Sequence, residues 1–188
     1  LRRASNAALH HAATARVELE PGGSGLRAEV LRVIGTWHFE DHGRVTGAFD
    51  LSGALDEGGA IVDDGWQGKA LSFVDQPARA RVTIGVQGDP AWNFERGFLV
   101  ELALCRRGEG AAPILAVGEA FLLEVGAKGD LSATMLSKVF DKQGLAREGD
   151  RSRVRSETSV LGLDRWHLVR VGYDLARFWI SVDGVEVG

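Results

Sequence analysis

Side chains that move protons, hold ions or stack on a ligand are few here in any spacing that chemistry would need. Glycoside hydrolysis requires two carboxylates facing each other across the scissile bond. Glu101 is the lone acid of an apolar run, and Glu119 and Glu124 are separated by the apolar run Ala120 to Leu123, so all three read as solvated face residues. There is no Gly-x-Ser-x-Gly, no His-Glu-x-x-His and no Gly-rich phosphate loop between a strand and a helix. The histidines lack the ligand spacing of a closed metal site. His10 and His11 adjoin in an Ala-rich segment, His38 and His42 flank a turn, and His167, set between Trp166 and Leu168, is expected to point outward. The sequence therefore points away from an enzyme.

Acidic loops and tryptophans remain. Asp50, Asp56, Asp63 and Asp64 fall on Gly-containing loops. Hard oxygen ligands on such loops suit Ca²⁺; the same acids serve equally as solubilising residues that cap turn backbone. Sugars stack on exposed aromatic rings with polar groups beside them. Trp179 alternates with Phe178 and Ile180, so it faces away from them; Trp92 lies on the loop Gly88 to Asn93; Trp66 lies in Gly65-Trp66-Gln67-Gly68. Each is a candidate ligand contact, and each is equally suited to packing against another strand or a neighbouring domain. Trp37, Trp166 and Phe178 read as core by alternation.

The elements that must position these residues read as β throughout. Gly is frequent, at 25 of 188 residues, which suits many turns between short strands. Residues 1–14 are Ala-rich, a short helix or a tether. Strand patterns follow over 15–20, 81–86, 98–104, 114–118, 120–125 and 131–136; 26–34 fits strand or helix by its own pattern and is read as strand from its β neighbours. Residues 138–155 are charged, with Gly144 and Gly149, and read as a long hairpin loop or insertion before a strand expected from Val154 to Leu161. Asp164 to Val187 is an antiparallel meander: a strand from Trp166, a turn at Tyr173 to Arg177, a clean period-two strand from Phe178 to Val182, and Asp183-Gly184 for a tight primed hairpin. Short strands at close spacing with no long helical pattern predict an all-β, antiparallel β-sandwich.

Composition narrows the partners. Net charge is −4, so no basic footprint argues for nucleic acid. No apolar run is long enough to insert through a bilayer. Cys105 is the one cysteine, which excludes an internal disulfide; it reads as a buried free thiol.

The meander also resembles the signature hairpin of laminin G-like domains, members of the concanavalin A-like lectin/glucanase group. The residues that carry the likeness are Trp166-His167-Leu168-Val169-Arg170-Val171-Gly172-Tyr173-Asp174 and Ile180-Ser181-Val182-Asp183-Gly184. Upstream blocks resemble the same family in the same order: Trp37-His38-Phe39, Asp50-Leu51-Ser52-Gly53, Gly68-Lys69-Ala70-Leu71-Ser72-Phe73 and Phe98-Leu99-Val100-Glu101. The resemblance implies a jelly-roll domain over 33–188, preceded by a tether, helix or extra strands over 1–32. Such domains continue with further strands beyond this hairpin, so the fold is expected to be incomplete at its C-terminus. A neighbouring domain, another chain, or residues 15–34 would complete it. The family's glucanases carry Glu-x-Asp-x-x-Glu, which is absent here. What the resemblance implies instead is a non-catalytic module, part of a larger multidomain protein, with Ca²⁺ at the sandwich rim and a glycan or protein ligand. Its place would be extracellular, at a cell surface or periplasmic. A structural domain mediating subunit contacts is the alternative.

Overall fold

The computed structural model describes residues 59–73, 97–136 and 151–188 in full, and the backbone of short strands at 14–19, 26–31, 36–37, 45–46, 139–140 and 146–147. All regular structure among these residues is β. No helix among them is long and apolar enough to cross a membrane. The chain divides into two compact units, Leu1–Trp92 and Asn93–Gly188. The boundary expected between 32 and 33, the N-terminal tether, and the strand expected over 81–86 lie outside the described residues.

In the first unit, three antiparallel pairs are described: β1 (Thr14–Leu19) with β2 (Leu26–Leu31), β3 (Thr36–Trp37) with β4 (Val45–Thr46), and β5 (Ala60–Val62) with β6 (Ala70–Ser72). The Asp50 to Gly53 block lies outside the described residues. Among the described residues β1 and β2 pair with each other as a two-stranded sheet.

The second unit is an antiparallel β-sandwich. Its strands are β7 (Phe98–Cys105), β8 (Ala112–Val117), β9 (Phe121–Val125), β10 (Leu131–Leu136), β11 (Val139–Phe140), β12 (Ala146–Arg147), β13 (Arg151–Arg155), β14 (Trp166–Tyr173), β15 (Phe178–Val182) and β16 (Val185–Glu186). One four-stranded sheet has the order β13-β10-β9-β8, the other β16-β15-β14-β7, while β11 and β12 form a separate hairpin. Side chains alternate across a strand, so each sheet turns one set inward. The first sheet buries Phe121, Leu123, Leu131, Ala133 and Met135; the second buries Val169, Val171, Ile180 and Val182. Phe98 on β7 meets Phe121 on β9 edge to face, with ring centroids 5.3 Å apart, and Phe178 at 6.2 Å, so aromatic contact joins the two layers. Each fully buried aliphatic or aromatic side chain contributes roughly 1.5–3 kcal/mol.

The last connection into β14 departs from the sequence expectation. The strand expected over 154–161 runs instead over Arg151–Arg155 and stops at Ser156. Ser156 Oγ accepts the Leu131 amide at 3.0 Å and donates to Thr158 O at 2.9 Å, a local side-chain arrangement that competes with the ladder. The irregular segment that follows is still anchored: Val160 and Leu161 amides both donate to Gly129 O at 3.0 Å, and Leu161 is fully buried.

The phase of β14 is a second correction. His167 pairs with Leu104, Val169 with Leu102 and with Val182, and Val171 with Val100 and Ile180. Period two therefore puts His167 on the inner face with Val169 and Val171, and it is 5% exposed. Trp166 takes the opposite phase with Leu168 and Arg170, and is half-buried on the outer face rather than in the core. The reading from composition followed the bulk of Trp166; the register follows the valines. Cys105, opposite Trp166, forms no disulfide and is half-buried.

Candidate ligand-binding face

Seen from outside, β7, β14 and β15 present rows fixed by register. Leu99, Gly172 and Trp179 form one row; Glu101, Arg170 and Ser181 form the next. Gly172 has no side chain, and the six-membered ring of Trp179 occupies that space. A Cβ on Gly172 would sit 2.4 Å from Trp179 Cζ2 and 2.6 Å from Cε2, closer than atoms can approach. The indole is thereby held over the neighbouring strand. Leu99 completes the row at 43% exposure. In the next row Arg170 Nε donates to Glu101 Oε2 at 2.6 Å. Beyond Trp179, Arg177 faces Glu186 at 3.5 Å. An aromatic platform with an apolar neighbour and oriented charged groups can stack a ring and hydrogen-bond its substituents.

The hairpins bounding this sheet are built from local chemistry. Asp183 and Gly184 have φ of 52° and 85°, the left-handed pair that a primed two-residue turn requires, as the sequence predicted. At the other end Leu175 has φ 73°, and Asp174 Oδ1 accepts the amides of Ala176 at 3.0 Å and Arg177 at 2.7 Å.

Asp183 also holds a buried histidine. Its Oδ2 lies 2.8 Å from His167 Nδ1, and its Oδ1 accepts the Leu168 amide at 2.9 Å. The Gly162 amide donates to His167 Nε2 at 3.2 Å. An amide can only donate, so Nε2 is the acceptor and Nδ1 carries the proton given to Asp183. Both ring nitrogens are engaged and the ring is buried. The pair is a clamp joining the hairpin tip to the segment before β14, with no nitrogen left to act as a base. The Leu168 amide first, and then the His167 hydrogen bond, hold the Asp183 carboxyl below its usual value of 3.8.

The sequence candidates distribute unevenly. Asp63, Asp64 and Trp66 share the loop between β5 and β6, where both acids are exposed and Trp66 is 48% exposed. Gly65 N donates to Gly68 O at 2.8 Å and closes that loop. Trp179 belongs to the other unit. Trp92, Asp50 and Asp56 lie outside the described residues, and among the described residues no three metal-ligating side chains converge. Two features escaped the sequence reading. The His167–Asp183 contact was available from the phase His167, Val169, Val171. The alternation Arg151-Ser152-Arg153-Val154-Arg155 is the signal of the second, although its charge reads as loop.

No family model, curated protein or solved structure matches this chain.

Proposed function

We propose that this chain is a non-catalytic binding module that recognises glycans or proteins at a cell surface, extracellular or periplasmic, within a larger multidomain protein. The laminin G-like resemblance of its meander, with the jelly-roll topology that implies, is part of the same reading. The observation that carries it is Trp179 laid over Gly172 on the outer face, beside Leu99 and the Arg170–Glu101 pair. A pyranose ring offers an apolar face to the indole and hydroxyls to the ion pair. Binding of the full chain to a glycan array, repeated with Trp179→Ala, tests it. Truncating an aromatic anchor is expected to weaken binding by about tenfold or more; unchanged binding, or a chain that retains no glycan or protein ligand, would overturn the reading.

Ca²⁺ belongs to the proposal through Asp50, Asp56, Asp63 and Asp64, and the exposed neighbours Asp63 and Asp64 on one closed loop support it. Thermal unfolding with Ca²⁺ and with chelator, for the native chain and Asp63→Asn/Asp64→Asn, is the check.

A second reading, a structural domain mediating subunit contacts, is favoured by Val185 at 64%, Leu175 at 55% and Leu99 at 43% exposure, all on the β7–β14–β15–β16 sheet or its turns. Concentration-dependent sedimentation abolished by Val185→Glu would select it.

A further inference from the structure

The opposite sheet has a different exterior. β13 is an edge strand of its sheet among the described residues, and its antiparallel pairing sets Arg155 against Ser132, Arg153 against Thr134 and Arg151 against Leu136. Val154 pairs with buried Ala133, so its phase is inward and the arginines share the outward one. All three are exposed. Two residues of antiparallel strand separate successive guanidinium stems by about 7 Å. Arg153 Nη2 donates to Ser132 Oγ at 3.2 Å, and Arg155 Nε and Nη2 donate to Asp130 Oδ2 at 3.0 and 2.5 Å. Each guanidinium has five donors, so every one keeps donors to spare. Among the described residues neither Arg151 nor Arg153 is ion-paired to a carboxylate. Past Arg155 the strip runs into an open groove of about 580 Å³, whose lining includes Lys128, Thr158 and Ser159 together with the acids Asp130 and Glu157.

We infer that Arg151, Arg153 and Arg155 form a binding strip for a linear anionic polysaccharide, whose carboxylate or sulfate groups pair with successive guanidiniums. Guanidinium is planar and forked, and it matches such anions through two parallel bonds. The regular spacing along one extended strand suits a repeating chain more than a single anion. Thr134, half-buried on the neighbouring strand in the same phase, offers a hydroxyl to the sugar. Nucleic acid is the less suited polyanion: among the described residues of this face, Leu122, Glu124, Thr134 and Leu136 include no aromatic ring for a base to stack on, and the chain as a whole is acidic. Charged residues on an edge strand also discourage edge-to-edge pairing, but lysine does that as well as arginine, and this difference gives the test its edge.

The experiment is binding of the full chain to dextran sulfate and to polygalacturonate, with neutral dextran and single-stranded DNA as comparators, in low and high salt. The native chain is expected to bind both anionic polysaccharides, to ignore dextran, and to lose affinity as salt screens the contacts. Arg151→Gln/Arg153→Gln should weaken binding by about tenfold or more, the scale of one lost charge-assisted hydrogen bond. Arg151→Lys/Arg153→Lys should retain charge and solubility yet bind several-fold more weakly, because the fork is gone. Circular dichroism confirms that these surface variants are folded. Full retention by the lysine variant, equal or tighter binding to DNA, or no binding at low salt would each overturn the inference. Trp179→Ala lies on the other sheet and should leave this binding unchanged, so failure here and failure of the Trp179 reading are separable.

Discussion

Inward, the sheet that carries Val169, Val171, Ile180 and Val182 and the sheet that carries Phe121, Leu123, Leu131 and Met135 hold the same kind of side chain. Outward they diverge. The first shows Trp179, Leu99 and an ion-paired Arg170–Glu101; the second shows Arg151 and Arg153, with Arg155 paired to Asp130. The inner faces answer to one requirement, mutual burial without water, so different strands converge on similar residues. The outer faces carry no common requirement, and their divergence is where function can be written. Platform chemistry on one sheet and ionic chemistry on the other should respond to different perturbations.

The largest effect should erase the comparison altogether. Ile180→Ala and Leu123→Ala each empty a fully buried site, one per sheet, and each should cost about 2–5 kcal/mol in denaturant unfolding. Similar losses from both would show that the layers are stabilised as one unit; a loss confined to one would show that they are not. A smaller change targets one exterior. Gly172→Ala puts a methyl where Trp179 lies, so the indole must leave, at about 1–3 kcal/mol for overpacking. Tryptophan fluorescence should report the displaced ring. In Gly172→Ala/Trp179→Ala the loss should be less than additive, because the clash is gone.

How much of this was legible beforehand varies with what sets each feature. The Asp183-Gly184 hairpin and the β15 alternation were readable because turn backbone and period two are local properties. Trp179 was correctly placed on the face away from Ile180 for the same reason. His167 was misplaced because Trp166 and Leu168 outweigh it in hydrophobicity, whereas the register is set by Val169, Val171 and their partners across two strands. The strand expected to end at Leu161 was lost to Ser156, whose hydroxyl satisfies backbone from another strand, and no local pattern carries that. The arginine alternation is present in the sequence, but its charge signals solvent exposure, which an edge strand shares with a loop.

Acid sharpens the contrast further. Both Asp183 and Asp130 are held below the usual 3.8, the first chiefly by the Leu168 amide and the second chiefly by the Arg155 side chain. A carboxyl whose folded value lies below its unfolded value favours the folded state when ionised. Its contribution is therefore complete above about pH 4 and fades as pH falls through the lowered value. Asp183→Asn should flatten the acid limb of the stability curve below pH 4. Carboxyl titration by NMR in low and high salt should separate the two causes: the Arg155 effect on Asp130 should shrink with screening, and the amide effect on Asp183 should persist.

The smallest expected effect is the most pointed. Arg170 and Glu101 are exposed at 41% and 48%, so their 2.6 Å contact is a surface ion pair, worth about 0.2–1 kcal/mol to stability. Were the pair there to hold β7 to β14, Glu101→Gln would show as a small shift in unfolding midpoint and nothing else. Beside a ligand platform the same change has another consequence, because Arg170 would lose the partner that fixes its orientation next to Trp179. Glu101→Gln is therefore expected to leave stability within about 1 kcal/mol while weakening platform binding several-fold, with the arginine strip of the opposite sheet unaffected. Equal, negligible effects on stability and binding would mean that the platform works through Trp179 alone.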